Sequence, residues 1–172
     1  MESALFTAAA CALVPTVIII ARYGESLAEV APATCNEFLD SYFMPQPLMI
    51  EPHLACMGPA GRSIYLDMYK VDLIIFPLVY TLVLHGVLKR VWSTTSRLAM
   101  VPFLACAADV SENCGIIHLL RHFPAHNDRL AMVIATCTRI KWAVVLVSLI
   151  LVLMGAVKQL VRVPSRQKQK VT

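Results

Sequence analysis

The chain has 172 residues, of which 58% are hydrophobic and 15% charged, and its formal net charge at pH 7 is +4. That apolar fraction exceeds what a soluble globular domain carries, so the composition indicates an integral membrane protein of one domain. The basic residues lie between and after the apolar runs, as membrane flanks do, which argues against a nucleic-acid-binding protein. Most of the six cysteines fall within apolar segments, which argues against a small disulfide scaffold.

The first apolar run, residues 5–21, is bounded by Arg22 and predicts a transmembrane helix over about residues 4–22. A cleaved signal peptide is the alternative interpretation of the same run. The amino end carries Glu2 and neither Lys nor Arg, and no clear cleavage site follows the run. These features favour a retained helix, and the alternative stays open.

A polar segment of about residues 23–62 follows, and it predicts an irregular, Pro-rich extramembrane loop between the first and second helices. Its prolines end or kink any long helix. They are Pro32, Pro45, Pro47, Pro52 and Pro59. Cys35 and Cys56 also lie in this segment. In an oxidising compartment these cysteines can form a disulfide, which would close a loop of about 20 residues for roughly 3 kcal/mol.

Helical spacing resumes at Ser63, a candidate N-cap, and predicts a second transmembrane helix over about residues 63–92. The residues at its end form a basic and aromatic interface anchor. Tyr69 and Asp72 lie near its beginning, on one helix face. Asp72 is therefore expected close to the end of the membrane at which the polar loop lies.

The third apolar stretch predicts a transmembrane helix over about residues 97–121, yet Asp109, Glu112 and Asn113 lie near its middle. Their spacing of three and four residues places them on one helix face. An Asp at the centre of a spanning helix costs roughly 2.5–3.5 kcal/mol, and lipid offers no partner, so this face must point at protein or trapped water. Two interpretations stay open. One is a helix-packing device in which basic groups neutralise the acids, and the other is a polar cavity for a ligand, a proton or a substrate.

The last apolar run predicts a fourth helix over about residues 128–161, which is too long for one straight crossing unless its ends project. Arg139 and Lys141 lie inside it. At 1.5 Å per residue they lie roughly 12–16 Å from the outer end, the same depth as Glu112 and Asp109. Because guanidinium groups favour forked contacts with carboxylates, we predict first an Arg139–Glu112 pair, with Asp109 bound by Lys141 or Arg139.

The alternative is that Arg139 and Lys141 lie at the outer interface and reach the headgroups, which would leave the acids facing each other or water. In the paired arrangement, Asp72 and Tyr69 extend the intramembrane polar cluster toward the polar loop. The sequence therefore predicts an all-α, polytopic membrane protein. We expect a bundle of four transmembrane helices in a single membrane domain.

The distribution of Lys and Arg favours an orientation with both termini in the cytosol, where the basic tail of about residues 162–172 lies. Near its end, Lys168 and Lys170 match the dilysine K-x-K-x-x signal that returns membrane proteins to the endoplasmic reticulum. We therefore predict a multi-pass protein of that membrane. A bacterial inner membrane and a mitochondrial membrane are the alternatives.

No catalytic motif accompanies the polar cluster. Cys114 and His118 are four residues apart, but no further Cys or His spacing completes a metal site, so neither a metal nor a cofactor is expected.

Three functions stay open, of which a non-catalytic accessory or structural component is favoured. The others are a small lipid- or sterol-binding protein or enzyme whose carboxylates exchange protons, and a proton- or ion-coupled carrier that works as an oligomer. The expected partners are the lipid bilayer, a membrane protein or second copy of the chain, and a lipid or sterol ligand, but no nucleic acid.

In length, in its acidic first loop and in its lysine-rich tail, the chain is similar in layout to the four-helix emopamil-binding and sigma-2-receptor group. This resemblance implies the same number of spanning helices. The membrane motifs do not align residue by residue, so it carries over no site residue.

Overall fold

The computed structural model describes residues 2–92 and 97–168 of the chain, and within those ranges every long element is an α-helix. The helices, numbered in chain order, are α1 (Glu2–Val30), α2 (Pro47–Cys56), α3 (Gly58–Asp72), α4 (Ile75–Trp92), α5 (Pro102–His122) and α6 (Asp128–Lys168). Short 3-10 turns at Leu39–Ser41 and Arg97–Met100 precede α2 and α5. The predicted all-α fold is confirmed.

In the part of the chain that the structure describes, four stretches of helix are long and apolar enough to cross a membrane, namely Ser3–Val30, Ile75–Trp92, Arg97–His122 and Asp128–Val161. In the bundle, α1 packs against α3 and α4, α4 also contacts α5 and α6, and α5 packs along α6. Large apolar side chains such as Val14 on α1 and Leu153 on α6 are 62% and 66% exposed, as expected of surfaces that face lipid. The chain is therefore a multi-pass membrane protein.

The predicted second helix is interrupted, because α3 ends at Asp72 and α4 begins at Ile75. Pro77 explains the interruption. It has no N–H to donate to the carbonyl of Leu73, and its ring would clash with that carbonyl in a continuous helix. The bundle thus contains a helix end beside its spanning helices, and the last carbonyls of α3 need partners from outside the helix.

The polar segment between α1 and α4 is less irregular than predicted. Helix α1 continues to Val30, and most of residues 47–72 is helical. Pro47 lies in the first turn of α2, where a missing N–H costs no helical hydrogen bond. Gly58, the first residue of α3, has a φ of 70°, a conformation that glycine adopts without a steric penalty. The irregular character that the prolines indicated is confined to residues 31–46.

A disulfide and a buried apolar core hold this segment against the bundle. Cys35 and Cys56 are bonded, with their Cα atoms 6.0 Å apart across a sequence separation of 21 residues. Ile50 on one face of α2 is buried in a core with Tyr65 of α3. The hydroxyl of Tyr65 accepts a hydrogen bond from the backbone N–H of Leu39 at 2.9 Å. The bond joins the irregular part of the loop to the end of α2.

Helices α5 and α6 pack tightly at Gly115, where a Cβ atom would lie 2.6 Å from Cγ1 of the buried Ile134. We expect Gly115→Ala to lower the melting temperature of the purified protein, because the added methyl must displace packed atoms at a cost of about 1–3 kcal/mol. That cost outweighs the gain of up to about 1 kcal/mol that alanine brings to a helix. Thermal unfolding in detergent measures the difference.

Gly24→Ala is the matched control for this substitution. Gly24 lies within α1, and a Cβ atom there would lie 3.8 Å from the nearest atom, which belongs to the Phe38 side chain. That distance is an ordinary van der Waals contact, so this variant should gain stability from helix propensity alone. Equal effects of the two substitutions would contradict tight packing at Gly115.

Candidate functional site

The acidic residues of α5 meet Lys141 of α6. The Nζ atom of Lys141 lies 2.7 Å from Oε2 of Glu112 and 3.2 Å from Oδ1 of Asp109. All three side chains are nearly inaccessible, with exposed fractions of 8% for Lys141, 0% for Glu112 and 4% for Asp109. Because a charge taken out of water is costly unless it is paired, Lys141 compensates the burial of both acids.

Each of the two carboxylates also accepts a hydrogen bond from a hydroxyl on a neighbouring helix. The hydroxyl of Tyr80 on α4 donates to Oδ2 of Asp109 at 3.0 Å, and the hydroxyl of Thr138 on α6 donates to Oε1 of Glu112 at 2.7 Å. Neither hydroxyl was predicted from the sequence, although a signal for one of them existed. Thr138 precedes Lys141 by three residues and therefore shares its helix face.

Asn113 links α5 to the interruption between α3 and α4. Its Nδ2 atom donates to the backbone carbonyl of Asp72 at 2.8 Å and lies 3.5 Å from Oδ2 of the same residue. A buried carbonyl at a helix end costs free energy unless a donor binds it. The Asn113 amide supplies this donor, so the cluster includes a backbone group as well as side chains.

Arg139 does not take the place predicted for it. Its side chain is exposed, and its Nη2 atom donates to the backbone carbonyl of Pro45 in the loop at 3.2 Å. Arg139 and Lys141 lie at nearly the same depth, but residues two apart on a helix point about 200° apart, on nearly opposite faces. Thr138 and Lys141, three residues apart, share the buried face of α6. Lys141 therefore binds both acids of α5 in its place.

Two further predictions concern Tyr69 and the retrieval signal. Tyr69 is 3% exposed and stacks on Tyr65 with ring centroids 5.1 Å apart, within the core beneath the loop.

Lys168 is the last residue of α6, and Lys170 lies outside the described residues. The retrieval signal therefore stays a prediction from the sequence.

A crevice of about 550 Å³ adjoins the cluster between α1, α4 and α6. Asp72, Asp109, Lys141 and Tyr80 lie on its surface and give it a polar end. The apolar lining consists of Leu13 and Ile20 from α1, Phe76, Val83 and Leu84 from α4, and Trp142 and Val145 from α6. Ligand sites in proteins commonly combine apolar walls with a few polar groups in this way. The arrangement can therefore hold an apolar molecule that carries a small polar group.

The donor set of the cluster suits hydrogen bonding and proton exchange. Its charged groups are carboxylates and an ammonium group, and the ammonium of Lys141 occupies the position between Asp109 and Glu112. Among residues 2–92 and 97–168, no group of three or more His, Cys, Asp or Glu side chains is arranged to hold a metal ion.

The fold and the site together define a multi-pass membrane protein with four spanning helices and a buried acid–base cluster. No protein-family model, no curated protein and no solved structure matches the chain. We therefore infer its function from the contacts around Lys141 and from the crevice next to them.

Proposed function

We propose that the protein binds one amphiphilic, lipid-like molecule in the crevice between α1, α4 and α6. The observation that carries the proposal is the composition of this crevice, whose apolar walls lead to a polar end at Asp72, Asp109 and Lys141. A volume of about 550 Å³ lies within the usual range for small-molecule sites. The hydrocarbon part of the ligand would lie along the walls, and its polar group would meet the cluster.

A hydroxyl is the polar group that fits this end of the crevice best. The Asp109 carboxylate accepts hydrogen bonds, the Lys141 ammonium donates them, and a hydroxyl can do both at once. The Lys141 ammonium is already shared between two carboxylates, so the cluster would repel an anionic phosphate. These features favour an uncharged lipid with a hydroxyl, such as a sterol, over a phospholipid.

The two acids of the cluster support this proposal in different ways. Glu112 has no exposed surface and contacts Thr138 and Lys141, so its contacts fix α5 against α6. Asp109 lies on the crevice surface and contacts Tyr80, so its contacts can extend to a ligand. Proton exchange between Asp109 and a bound ligand would make the same site that of an enzyme, and chemical conversion of the ligand would reveal it.

The test uses a photoreactive sterol that carries a diazirine and an alkyne, with the protein in lipid nanodiscs. Val83→Trp places an indole ring in the crevice wall, and we expect a loss of labelling of at least about tenfold, equivalent to about 1.4 kcal/mol of binding free energy. The matched control is Val147→Trp on α6, at a side chain that is 47% exposed and is not part of the crevice lining. Equal labelling of the two variants, at equal yield and melting temperature, would contradict the proposal.

A second candidate function is that of a non-catalytic accessory or structural component of a membrane complex. The buried contacts of Glu112 with Thr138 and Lys141 favour it, because they have a packing role that needs no ligand. Affinity purification in mild detergent separates the two candidates. A stoichiometric protein partner, or a second copy of the chain, without an enriched lipid would support the accessory component.

We infer that α2 and α3 lie on the lumenal side of the endoplasmic-reticulum membrane and that both termini lie in the cytosol. The disulfide supports the first part, since disulfides persist in oxidising compartments. The basic residues near the carboxyl end and the dilysine motif support the second part. An N-glycosylation acceptor placed at the exposed residues 32–34 should be modified in cells, and one appended after Thr172 should not. The reverse pattern would overturn the orientation.

A further inference from the structure

The irregular part of the loop and the start of α2 expose a large amount of apolar surface. Phe43, Met44, Leu48 and Met49 are 50%, 67%, 80% and 61% exposed. Residues 41–50 contain no charged side chain. Contiguous exposed apolar surface of this kind marks a place that contacts a partner or a membrane.

The segment that bears this apolar surface is packed against the rest of the protein on its other side. Ile50 on the opposite face of α2 is fully buried, and the Cys35–Cys56 disulfide ties the loop to the end of the same helix. Glu51 accepts a hydrogen bond from the backbone N–H of Asn127 at 2.7 Å, which fixes α2 to the start of α6. The exposed side chains are therefore presented outward from a segment that is packed on its other side.

Two contacts with α6 set the level of this surface relative to the spanning helices. The carbonyl of Pro45 accepts a hydrogen bond from Arg139 at 3.2 Å, and the ring centroids of Phe43 and Trp142 lie 6.0 Å apart. Both α6 residues belong to the stretch that is apolar enough to cross the membrane. Ile140 between them is 47% exposed. The apolar surface of the loop is thus continuous with the lipid-facing surface of α6.

We propose that the segment Tyr42–Met49 lies in the headgroup–acyl boundary of the leaflet on the disulfide side, where its apolar side chains bind phospholipid. Surface segments bury their outward-facing apolar side chains in this layer, and Tyr side chains such as Tyr42 are enriched there. The bilayer is the occupant because it already surrounds the spanning part of α6, with which this surface is continuous. The first loop is then a membrane-embedded segment in part, and this conclusion does not depend on a ligand in the crevice.

Photochemical cross-linking to lipid tests the proposal on the full chain in phosphatidylcholine nanodiscs. Benzoylphenylalanine is incorporated at Leu48 or Met44, at Leu146 of α6 as a lipid-facing reference, and at the exposed Ala60 of α3 as the matched control. We expect phosphatidylcholine adducts at Leu48 and Met44 in yields similar to those at Leu146 and roughly tenfold above those at Ala60. Mass spectrometry of the cross-linked peptides measures the yields.

Formation of the Cys35–Cys56 disulfide, read from electrophoretic mobility without reductant, reports that each of these proteins is folded. Adducts at Leu48 and Met44 no more abundant than at Ala60 would overturn the proposal. Cross-links from Leu48 to a second copy of the chain, in place of lipid, would overturn it as well.

Discussion

Lys141→Met is expected to deplete folded protein from the membrane. The substitution removes the ammonium group between Asp109 and Glu112 and leaves two carboxyl groups in a site where their exposed fractions are 4% and 0%. Removal of one partner from a buried ion pair costs about 3–5 kcal/mol, which is a large share of the roughly 5–15 kcal/mol that stabilises a folded protein. The yield of monodisperse protein in detergent and its melting temperature measure the effect.

Arg139→Met is the matched control, since it makes the same change two residues earlier on α6. The Arg139 guanidinium is exposed and contacts the Pro45 carbonyl, so its loss should stay below about 1 kcal/mol. Adding Asp109→Asn and Glu112→Gln to Lys141→Met should recover part of the lost yield, because amides need no counter-charge. A larger loss from Arg139→Met than from Lys141→Met would mean that the cation has been assigned wrongly.

Cys56→Ser is expected to lower the free energy of unfolding by about 3 kcal/mol, because the disulfide that it removes spans 21 residues of chain. A reductant should bring the wild-type protein to the same melting temperature. The matched control is Cys114→Ser, since Cys114 is an exposed, free cysteine on α5 and its replacement should change little. Equal melting temperatures for the wild-type protein and Cys56→Ser would contradict the assigned bond.

Alkylation of the denatured protein checks the same bond by an independent readout. Before reduction, a thiol reagent should modify the free cysteines Cys11, Cys106, Cys114 and Cys137. After reduction, it should modify all six cysteines of the chain. Complete modification before reduction would show that Cys35 and Cys56 are thiols.

The helices and the polar face of α5 could be predicted from the sequence for a physical reason. A helix that crosses a bilayer needs a long apolar run, and such runs stand out in the residues themselves. Asp109, Glu112 and Asn113 had to share a face because their spacing matches one helical turn. The prediction that Arg139 binds Glu112 was wrong because it used depth alone, and Arg139 and Lys141 lie at nearly the same depth. The angular position of each residue on α6 separates them.

The interruption between α3 and α4 and the crevice depend on contacts between distant parts of the chain. Pro77 marks the interruption locally, but spanning helices often tolerate proline when neighbours bind the freed backbone groups. That Asn113 binds the carbonyl of Asp72 follows from the way α5 packs against α3. The crevice likewise arises where walls from α1, α4 and α6 come together, and no local pattern encodes that arrangement.

The position of Lys141 along the chain has a consequence for biosynthesis. Lys141 follows Asp109 by 32 residues, so α5 leaves the ribosome before its counter-charge does. A central acid costs roughly 2.5–3.5 kcal/mol when its helix enters the bilayer, whereas each large aliphatic residue returns only roughly 0.3–0.6 kcal/mol. Helix α5 therefore gains little free energy by entering the bilayer alone. We therefore expect the insertion machinery to retain α5 until α6 arrives and to release the two as a hairpin. A lysine of α6 would thus determine whether the preceding helix, α5, becomes a membrane helix.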